Sequence, residues 1–243
     1  MPRIWARTGV FLLATLALSA PASAQVVQSV QIGVGVFVPR SFDNRVPGDV
    51  LVEDLSSTAN NPNPLLFAIG DFRSAQISGE WNVAFGNHLE VGAGVGYFQR
   101  SVPSVYRDLV NSDGSEIAQS LRLRVVPVSA VIRFLPLGRA STVQPYAGVG
   151  VSALNFRYSE TGQFVDNSDL SVFDARYVAT GTAVGPLLLV GLRMPIRGDI
   201  YAFTVEGRYQ FGAGNTGGAA NGFVNNKIDL GGWNTTFGFL VRF

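Results

Sequence analysis

The stretch that decides the fold is Trp233-Asn234-Thr235-Thr236-Phe237-Gly238-Phe239-Leu240-Val241-Arg242-Phe243. Its apolar residues share one parity, interrupted by Thr235, and its polar residues share the other, interrupted by Leu240. Alternation with a period of two predicts a β-strand with one apolar and one polar face. A soluble chain seldom ends on an apolar face, because chain termini usually fray into water. We therefore expect this strand to face lipid.

The first 24 residues have the pattern of a secretory signal peptide. Arg3 and Arg7 form a positive n-region, 10–20 is an apolar run, and Ala22-Ser23-Ala24 matches a small-x-small cleavage site. The run is shorter than the roughly 20 residues that a transmembrane helix needs. We expect cleavage after residue 24, with 25–243 forming a single barrel domain. An uncleaved N-terminal anchor is the alternative.

The composition excludes several classes of protein and site. Without Arg3 and Arg7 the chain has 16 basic and 17 acidic residues, a net charge of −1. There is no basic stripe, so we expect no nucleic-acid partner. The absence of cysteine excludes disulfides and thiolate metal sites. After Gln25 no segment is apolar for 18 residues, so we expect no transmembrane helix, and we expect no cofactor.

Period-two alternation recurs through the chain and predicts eight strands: 28–38, 72–85, 89 to about 100, 120–134, 145–158, 178–194, 201–211 and 233–243. The connections between them alternate long and short, with long loops at 39–70, 101–118, 159–177 and 212–225. Eight strands make the smallest closed transmembrane barrel, with long outer loops and short periplasmic turns. We predict an all-β protein, an eight-stranded antiparallel transmembrane β-barrel with long extracellular loops and short periplasmic turns. Both mature termini are expected in the periplasm.

Two strands break the simple pattern. The apolar parity of the fourth strand changes at Val125-Val126, next to Pro127, and a one-residue bulge there would reconcile its two halves. Gly185-Pro186 predicts an irregularity in the sixth strand. We also expect the last strand to pair with the first, because a membrane barrel cannot leave an edge unpaired in lipid.

The main alternative is a soluble barrel of the lipocalin kind, with its apolar face around a ligand. Aromatic residues near both ends of the proposed outer face favour the membrane instead: Trp81, Phe85, Phe134, Tyr201 and Phe203 near the short turns, and Tyr97, Tyr209 and Phe211 near the long loops. The opposite faces carry charges that we predict to form a network filling the lumen: Glu80, Glu90, Arg133, Arg193, Glu206, Arg208 and Arg242. A polar conduit that opens when this network rearranges is the other interpretation.

Charged residues also cluster toward the long loops. Six arginines near the outer strand ends are candidates for binding lipopolysaccharide phosphates, because guanidinium forks suit phosphate: Arg73, Arg100, Arg107, Arg122, Arg124 and Arg157. Pairing of these arginines with loop carboxylates is equally open. The loops carry many acidic residues, among them Asp49, Asp54 and Glu160, which we interpret as solvated charge. Cation binding by hard oxygen ligands is the alternative, but no Asp-x-Asp-x-Asp-Gly motif is present.

The segment from Val126 to Phe134, followed by Gln144-Pro145-Tyr146-Ala147-Gly148-Val149-Gly150-Val151, resembles the outer-membrane β-barrel family that contains OmpX- and OmpW-like proteins. In that family an arginine-bearing strand precedes a Pro-Tyr-x-Gly-x-Gly strand. The chain end resembles the family's membrane-insertion signal in its alternating residues Trp233, Phe237, Phe239, Val241 and Phe243. The resemblance implies a bacterial outer-membrane location. It also implies contact with outer-membrane lipids and lipopolysaccharide, and handling by periplasmic chaperones and the barrel assembly machinery.

We do not expect an enzyme. Barrels that resemble the lipid A deacylase need a His-x-Ser pair, whereas His88 is the sole histidine and is followed at two residues by Glu90. We interpret His88 as an exposed turn residue. The predicted function is structural or interactive: envelope integrity, adhesion or recognition through surface loops, by a monomer with a plugged lumen. The alternative is an OmpW-like narrow channel for small apolar molecules.

Overall fold

The computed structural model describes residues 27–59, 61–196 and 200–243. The predicted signal peptide and its cleavage site lie outside the described residues, as does part of the predicted turn at 195–199. No helix in the described part of the chain is long and apolar enough to cross a membrane.

Eight antiparallel strands form a closed ring: β1 Val27–Pro39, β2 Ser74–Phe85, β3 Leu89–Val110, β4 Glu116–Phe134, β5 Gln144–Val165, β6 Val172–Ile196, β7 Tyr201–Gln210 and β8 Gly232–Arg242. Each strand pairs with the next along the chain. The ring closes where β8 pairs with β1, from Ser29 opposite Arg242 to Pro39 opposite Gly232. The predicted eight-stranded antiparallel barrel and its closing pair are confirmed.

The strands have two lengths, and this makes the wall of the barrel uneven. β3 to β6 contain 19 to 25 residues, whereas β1, β2, β7 and β8 contain 10 to 13. The predicted long loops at 101–118 and 159–177 are therefore wrong, since strand pairing continues to tight turns at 111–115 and 166–171. Polar residues on both sides of these hairpins suggested loops, but paired strands tolerate polar residues wherever water covers the outer face.

The other two long connections fold over the short strands. Segment 40–73 contains α1, Val50–Leu55, two 3-10 turns at Phe42–Asn44 and Ile69–Phe72, and the short strand Leu65–Leu66, which pairs with β3. Segment 211–231 contains a small ladder of Ala213–Asn215 with Lys227–Asp229 and a 3-10 turn at Gly218–Asn221. We call the end of the barrel that carries these segments the loop end. The opposite end, with the turns at 86–88 and 135–143, is the turn end.

The register of β4 is continuous across Val125 and Val126, so the predicted bulge is wrong. Val125 pairs with Phe98 and Val128 with Val95, with no residue inserted between them. The pairing with β5 is equally regular at this point. A register shift does occur nearer the hairpin tip, between Val105 and Val110. The parity of β4 therefore stays constant while the chemistry of its faces changes.

The inward and outward faces of β4 exchange polar and apolar residues along the strand, because the surroundings of the strand change. Toward the turn end the outward residues of β4 are apolar, as at Ile132, and the inward ones include Arg133. Toward the loop end the inward residues are apolar and fully buried, as at Leu121 and Val125, and the outward ones are polar, as at Arg124. A strand that leaves lipid for water must exchange its two patterns in this way.

The predicted irregularity at Gly185-Pro186 does not interrupt β6. Pro186 pairs with Val151 in an unbroken ladder with β5. The pairing of β6 with β7 instead stops near this point, where the Phe211 N–H donates to the Pro186 carbonyl at 3.1 Å. Gly185 permits this close approach, because a side chain there would meet the Phe211 carbonyl.

Candidate functional site

The outer surface of the barrel carries an apolar belt. On β1, Ile32 points outward and is 67% exposed, whereas the neighbouring Gln31 points inward and is 4% exposed. Outward apolar residues are likewise exposed on the other strands, among them Ile77, Val95, Ile132, Val149, Val184, Phe203 and Phe237. A contiguous exposed apolar surface of this kind marks contact with a membrane or partner. The lipocalin-like alternative requires the opposite arrangement.

Aromatic residues occur near both limits of this belt. Tyr97, near the loop end, is exposed on the outer face. So are the five aromatic residues predicted near the turn end: Trp81, Phe85, Phe134, Tyr201 and Phe203. Tyr209 and Phe211 are only partly exposed, because Arg40 of segment 40–73 covers them. The guanidinium carbon of Arg40 lies 5.6 Å from the ring centre of Tyr209 and 4.9 Å from that of Phe211.

The residues of the predicted insertion signal lie on the outward parity of β8. Trp233, Phe237, Phe239 and Phe243 are exposed, and Val241 is partly exposed. The Phe243 N–H donates to the Gln28 carbonyl at 3.0 Å, which ties the chain end to the start of β1. Their role in insertion stays a prediction.

Six of the seven predicted lumen charges form one buried ionic network. Arg133 is at its centre: Nη2 lies 3.0 Å from Glu206 Oε2, and the same nitrogen pairs with Glu80. Arg208 pairs with Glu206 and lies 2.6 Å, from Nη2 to Oε2, from Glu80. Each carboxylate therefore contacts two guanidinium groups. Such mutual pairing offsets the high cost of taking charges out of water.

The network extends toward the turn end through Glu90. Arg193 donates two parallel hydrogen bonds to the Glu90 carboxylate, at 3.0 and 2.9 Å, and Arg133 Nη1 lies 3.7 Å from Glu90 Oε1. The seventh predicted residue, Arg242, lies on the inward parity of β8 and donates from Nη2 to Gln144 Oε1 at 2.7 Å. All seven residues thus face the lumen.

The Pro-Tyr-x-Gly-x-Gly stretch contributes an aromatic ring to this network. The Tyr146 ring centre lies 5.5 Å from the guanidinium carbons of both Arg133 and Arg193, within the range of cation–π attraction. The ring fits because Gly191 lies opposite Tyr146 on β6, where any side chain would collide with it. The packing role of Tyr146 was not predicted from the sequence.

Little free space remains around the network. At Gly92 an added Cβ would lie 2.8 Å from Arg133 Nη1, so this glycine makes room for the central arginine. The remaining cavity, lined by Glu80, Glu206 and Arg208 among others, has a volume of about 30 Å³. That is enough for one or two water molecules.

Above the network, toward the loop end, the lumen is filled by an apolar core. Inward residues of the long strands, including Leu121, Leu154 and Tyr158, pack in one cluster with residues of the two folded segments. Segment 40–73 supplies Leu51, and segment 211–231 supplies Phe223. The two segments therefore form part of the interior.

A buried acidic pair joins the two segments. The Asp229 N–H donates to Asp49 Oδ1 at 2.7 Å, and Asp229 Oδ2 accepts from the Val46 N–H at 3.0 Å. Arg45 pairs with Asp49, and Arg40 Nη1 lies 3.2 Å from Asp229 Oδ2. Burial raises the pKa of Asp49, and the hydrogen bond and charge of Arg45 lower it. The expectation that Asp49 is solvated is wrong, because both segments cover it.

The six predicted rim arginines separate into two groups. Arg122, Arg124 and Arg157 line one outward groove of about 190 Å³. The other residues around this groove are Gln99, Ser159 and Arg176, of which Arg176 was missed by the sequence analysis. Arg124 and Arg157 are directly opposite each other on β4 and β5.

The remaining rim arginines lie outside this groove. Arg100 donates from Nε to the Asp71 carbonyl at 2.9 Å, and Arg107 donates from Nη2 to the Leu55 carbonyl at 3.0 Å. Arg73 is exposed. Each of these three arginines therefore either lies in segment 40–73 or donates a hydrogen bond to it.

Two further loop acids, Asp54 and Glu160, are buried, so their interpretation as solvated charge is wrong as well. Their burial depends on α1 and β5, more than 100 residues apart in the chain, contributing to one buried cluster, and no local signal reveals it. Burial raises the pKa of Glu160 to about 7, although the Tyr158 hydroxyl lowers it somewhat. Burial likewise raises the pKa of Asp54, and the charge of Glu160 raises it further.

His88 lies on an exposed turn, with its ring stacked near Phe134 at a centroid distance of 6.2 Å. Among the described residues, no three His, Asp or Glu side chains are grouped in a way that could hold a metal ion. The expectation that the chain is not an enzyme stays a prediction.

No protein-family model and no curated protein sequence matches this chain. Among solved structures, Neisserial surface protein A is similar at 13% identity and a TM-score of 0.46, covering 89% of this chain and 97% of that one. Ail, the attachment invasion locus protein of Yersinia pestis, is similar at 10% identity and a TM-score of 0.45, covering 90% and 99%. The outer membrane protease OmpT of Escherichia coli is similar at 10% identity and a TM-score of 0.44, covering 93% and 99%.

These similarities concern the fold alone. The predicted resemblance to small outer-membrane β-barrel proteins is in line with these similarities of fold. The low TM-scores carry no argument about activity or ligands, and the eight-stranded ring rests on the strand pairing itself.

Proposed function

We propose that this chain is an integral outer-membrane protein with a structural or interactive role, which presents a rigid loop end and conducts nothing. The observation that carries the proposal is the occupied lumen. An ionic network fills the part inside the belt, and an apolar core fills the part above it. Envelope integrity, adhesion and surface recognition are the roles that suit such a closed barrel.

Under this proposal the barrel resides in the bacterial outer membrane, with its loop end outside the cell and its turn end in the periplasm. The exposed aromatic residues near the limits of the belt support this location. Periplasmic chaperones and the barrel assembly machinery would handle the chain during insertion. We propose a monomer, because the apolar surface is accounted for by lipid.

The alternative, a narrow channel for small apolar molecules, needs an apolar funnel with a lateral exit. The two places where the sequence predicted an irregular strand offer no such exit: Val125 is buried in the core, and Gly185 packs against the Phe211 carbonyl. No observation favours the channel over the structural role.

Planar-bilayer conductance of the refolded protein tests the closed lumen. We expect no current steps from the wild type or from a Glu206→Ala/Arg208→Ala variant, because the apolar core still blocks the loop end when the network is cut. A porin of known conductance serves as the positive control. Discrete steps in the wild type would overturn the proposal, and steps in the variant alone would show that the network is the gate.

We further propose that the arginine groove holds phosphate groups of lipopolysaccharide. Arg124 and Arg157 are directly opposite on neighbouring strands, an arrangement that is unfavourable for like charges without a counter-charge. None of the four groove arginines, Arg122, Arg124, Arg157 and Arg176, forms an ion pair within the described residues. The outer faces of their strands become apolar toward the turn end, so the groove lies at the level of lipid head groups.

Lipopolysaccharide retained by the protein after detergent extraction measures this binding. The Arg122→Gln/Arg124→Gln variant should retain several-fold less than the wild type, and high salt should weaken retention because exposed charges are screened. Arg73→Gln/Arg107→Gln is the matched control, since it removes two rim arginines that lie outside the groove. Equal retention by both double variants would contradict the proposal.

A further inference from the structure

The loop end contains a second group of buried polar atoms, which the proposed function does not use. Asp54 on α1 and Glu160 on β5 are only 3% and 4% exposed, and neither forms an ion pair within the described residues. Asp54 Oδ2 and Glu160 Oε1 also lack a hydrogen bond of ordinary geometry there, although the Tyr158 hydroxyl is close enough to Glu160 to lower the pKa of that carboxyl. A buried carboxylate without a partner is costly, and proteins normally pair or coordinate it.

Both carboxylates line one cavity of about 200 Å³, which lies between α1, β3, β5 and the neighbouring loops. Gln119 lines it too, and its Oε1 is a third buried acceptor without a partner. The cavity reaches the exposed residues Asn167 and Phe173, so a small molecule has a path into it from solvent.

The side-chain amide donors of Gln119 and Asn61 are already engaged, whereas the Tyr106 hydroxyl accepts two hydrogen bonds and keeps its own proton to donate. Gln119 Nε2 donates to the Tyr106 hydroxyl at 3.2 Å, and the Tyr106 hydroxyl itself accepts from the Val165 N–H at 3.2 Å. Asn61 Nδ2 donates to the Glu53 carbonyl at 2.8 Å. No arginine, lysine or histidine lines the cavity. What it offers a ligand is therefore mainly acceptors and negative charge, with the Tyr106 hydroxyl proton as a donor.

Aromatic rings supply the apolar part of the wall. The Phe164 and Tyr177 ring centres are 4.8 Å apart in an edge-to-face contact, and Phe173 lies 6.1 Å from Phe164. Aromatic faces next to carboxylates are the surroundings that an organic cation prefers.

We propose that this cavity binds a primary alkylammonium ion, with its N–H groups directed to Asp54, Gln119 and Glu160 and its alkyl chain against the aromatic rings. A primary ammonium group has three N–H donors, and the cavity wall carries three side chains that can accept from them. A quaternary ammonium ion would leave the acceptors unsatisfied. A divalent metal ion is disfavoured because the described residues offer it only two carboxylates at this place.

The proton is the natural competitor of such a ligand. Because burial raises the pKa of Glu160 to about 7, the empty site is partly neutralised by protonation near neutral pH. Above that pH the positive charge of a bound ammonium ion, in place of the proton, would compensate the Glu160 carboxylate.

Isothermal titration of the purified full chain in detergent, at about pH 8 so that Glu160 is ionised, tests the proposal. The probe is n-butylammonium chloride, and 1-butanol is the neutral comparison of similar shape. We expect butylammonium to bind at least about tenfold more tightly than butanol. Equal binding of both, or no measurable binding of butylammonium, would overturn the proposal without the need for any variant.

Two isosteric variants then assign the residues. Glu160→Gln and Asp54→Asn should each weaken butylammonium binding by about tenfold or more, and both remove a buried charge, so we expect them to fold. Glu116→Gln, which changes an exposed carboxylate on β4, is the control and should bind as the wild type does. Unchanged affinity in both of the cavity variants would contradict the assignment.

Discussion

At the scale of single residues, burial decides what each charge does. Arg133 and Glu160 are both ionisable residues on inward positions of neighbouring strands. Arg133 has three carboxylates within 4 Å, whereas Glu160 has no guanidinium partner among the described residues. The first is therefore held charged inside the barrel, and the second is poised to accept a proton.

This difference predicts a pH dependence of stability. Burial raises the pKa of Glu160 from its ordinary value of 4.5 to about 7, so the folded state holds a proton that the unfolded state releases between those values. The free energy of unfolding should therefore fall as the pH rises from about 4.5 to about 7, by up to about 3 kcal/mol. The neighbouring groups that act on this site, Asp54, Asp49, Glu53 and Tyr158, are all acids, and Asp54 shifts in the same direction.

Urea unfolding of the refolded protein across this pH range measures the slope. Glu160→Gln should reduce the slope, since glutamine does not titrate, and the contribution of Asp54 should remain. The exposed Glu116→Gln substitution should leave it unchanged. Equal slopes for the wild type and Glu160→Gln would show that Glu160 ionises normally.

At the scale of the element, β8 closes the ring, and we predict that the same strand also serves assembly. Its outward residues match the predicted insertion signal, while its backbone completes the ring with β1. The side chain of Phe243 is exposed on the outer face, whereas its backbone exchanges hydrogen bonds with Gln28 at 3.0 and 3.3 Å. Side chain and backbone can therefore be tested separately.

Phe243→Ala should reduce insertion in cells several-fold, yet lower the free energy of unfolding of the refolded protein by no more than about 2 kcal/mol, since the backbone pairing is kept. Deletion of Phe243 also removes the backbone bonds to Gln28, but we expect it too to impair assembly far more than folded stability. Phe85→Ala is the matched control, because Phe85 is an outward, exposed aromatic residue near the same turn end. Insertion is measured as heat-modifiable barrel in outer-membrane fractions. Equal insertion of Phe243→Ala, Phe85→Ala and the wild type would remove the special role of the last residue.

At the scale of the whole molecule, two different interiors are stacked in one barrel. Inside the belt the lumen is polar and ionic, and beyond it the same strands enclose an apolar core of the kind found in soluble proteins. The core is completed by segments 40–73 and 211–231, which cover the gap left by the short strands. We therefore expect the loop end to be compact.

Limited proteolysis with a nonspecific protease tests this compactness. In the wild type, the turn tips at 111–115 and 166–171 should be cut well before the two folded segments. Leu51→Asp places a charge in the apolar core, at a cost of about 3 kcal/mol or more, and should make both segments rapidly cleavable while the belt stays folded. Leu66→Asp, at an exposed position of the same segment, should retain the wild-type pattern. Protection that survives Leu51→Asp would contradict the proposed core.

The sequence by itself determined the membrane-spanning architecture. Period-two alternation, with apolar residues outward and charges on the other parity, is a local property. It can be recognised in each strand without knowledge of the strands that pair with it. It was enough to predict eight strands, the closure of β8 on β1, and the inward positions of residues such as Glu206 and Arg193.

Only the tertiary structure decided which charged side chains pair in the lumen and how far the strands extend at the loop end. Arg133 finds Glu80 and Glu206 across the lumen, and Asp54 and Glu160 are buried together, because strands and loops far apart in the chain converge there. The full length of the β3–β4 and β5–β6 hairpins was not predicted, for a related reason. Once a strand leaves the lipid, its polar and apolar faces exchange, so period-two alternation no longer distinguishes the inward face from the outward face. Burial is a property of the assembled fold, so the chemistry that depends on it cannot be derived from the order of the residues alone.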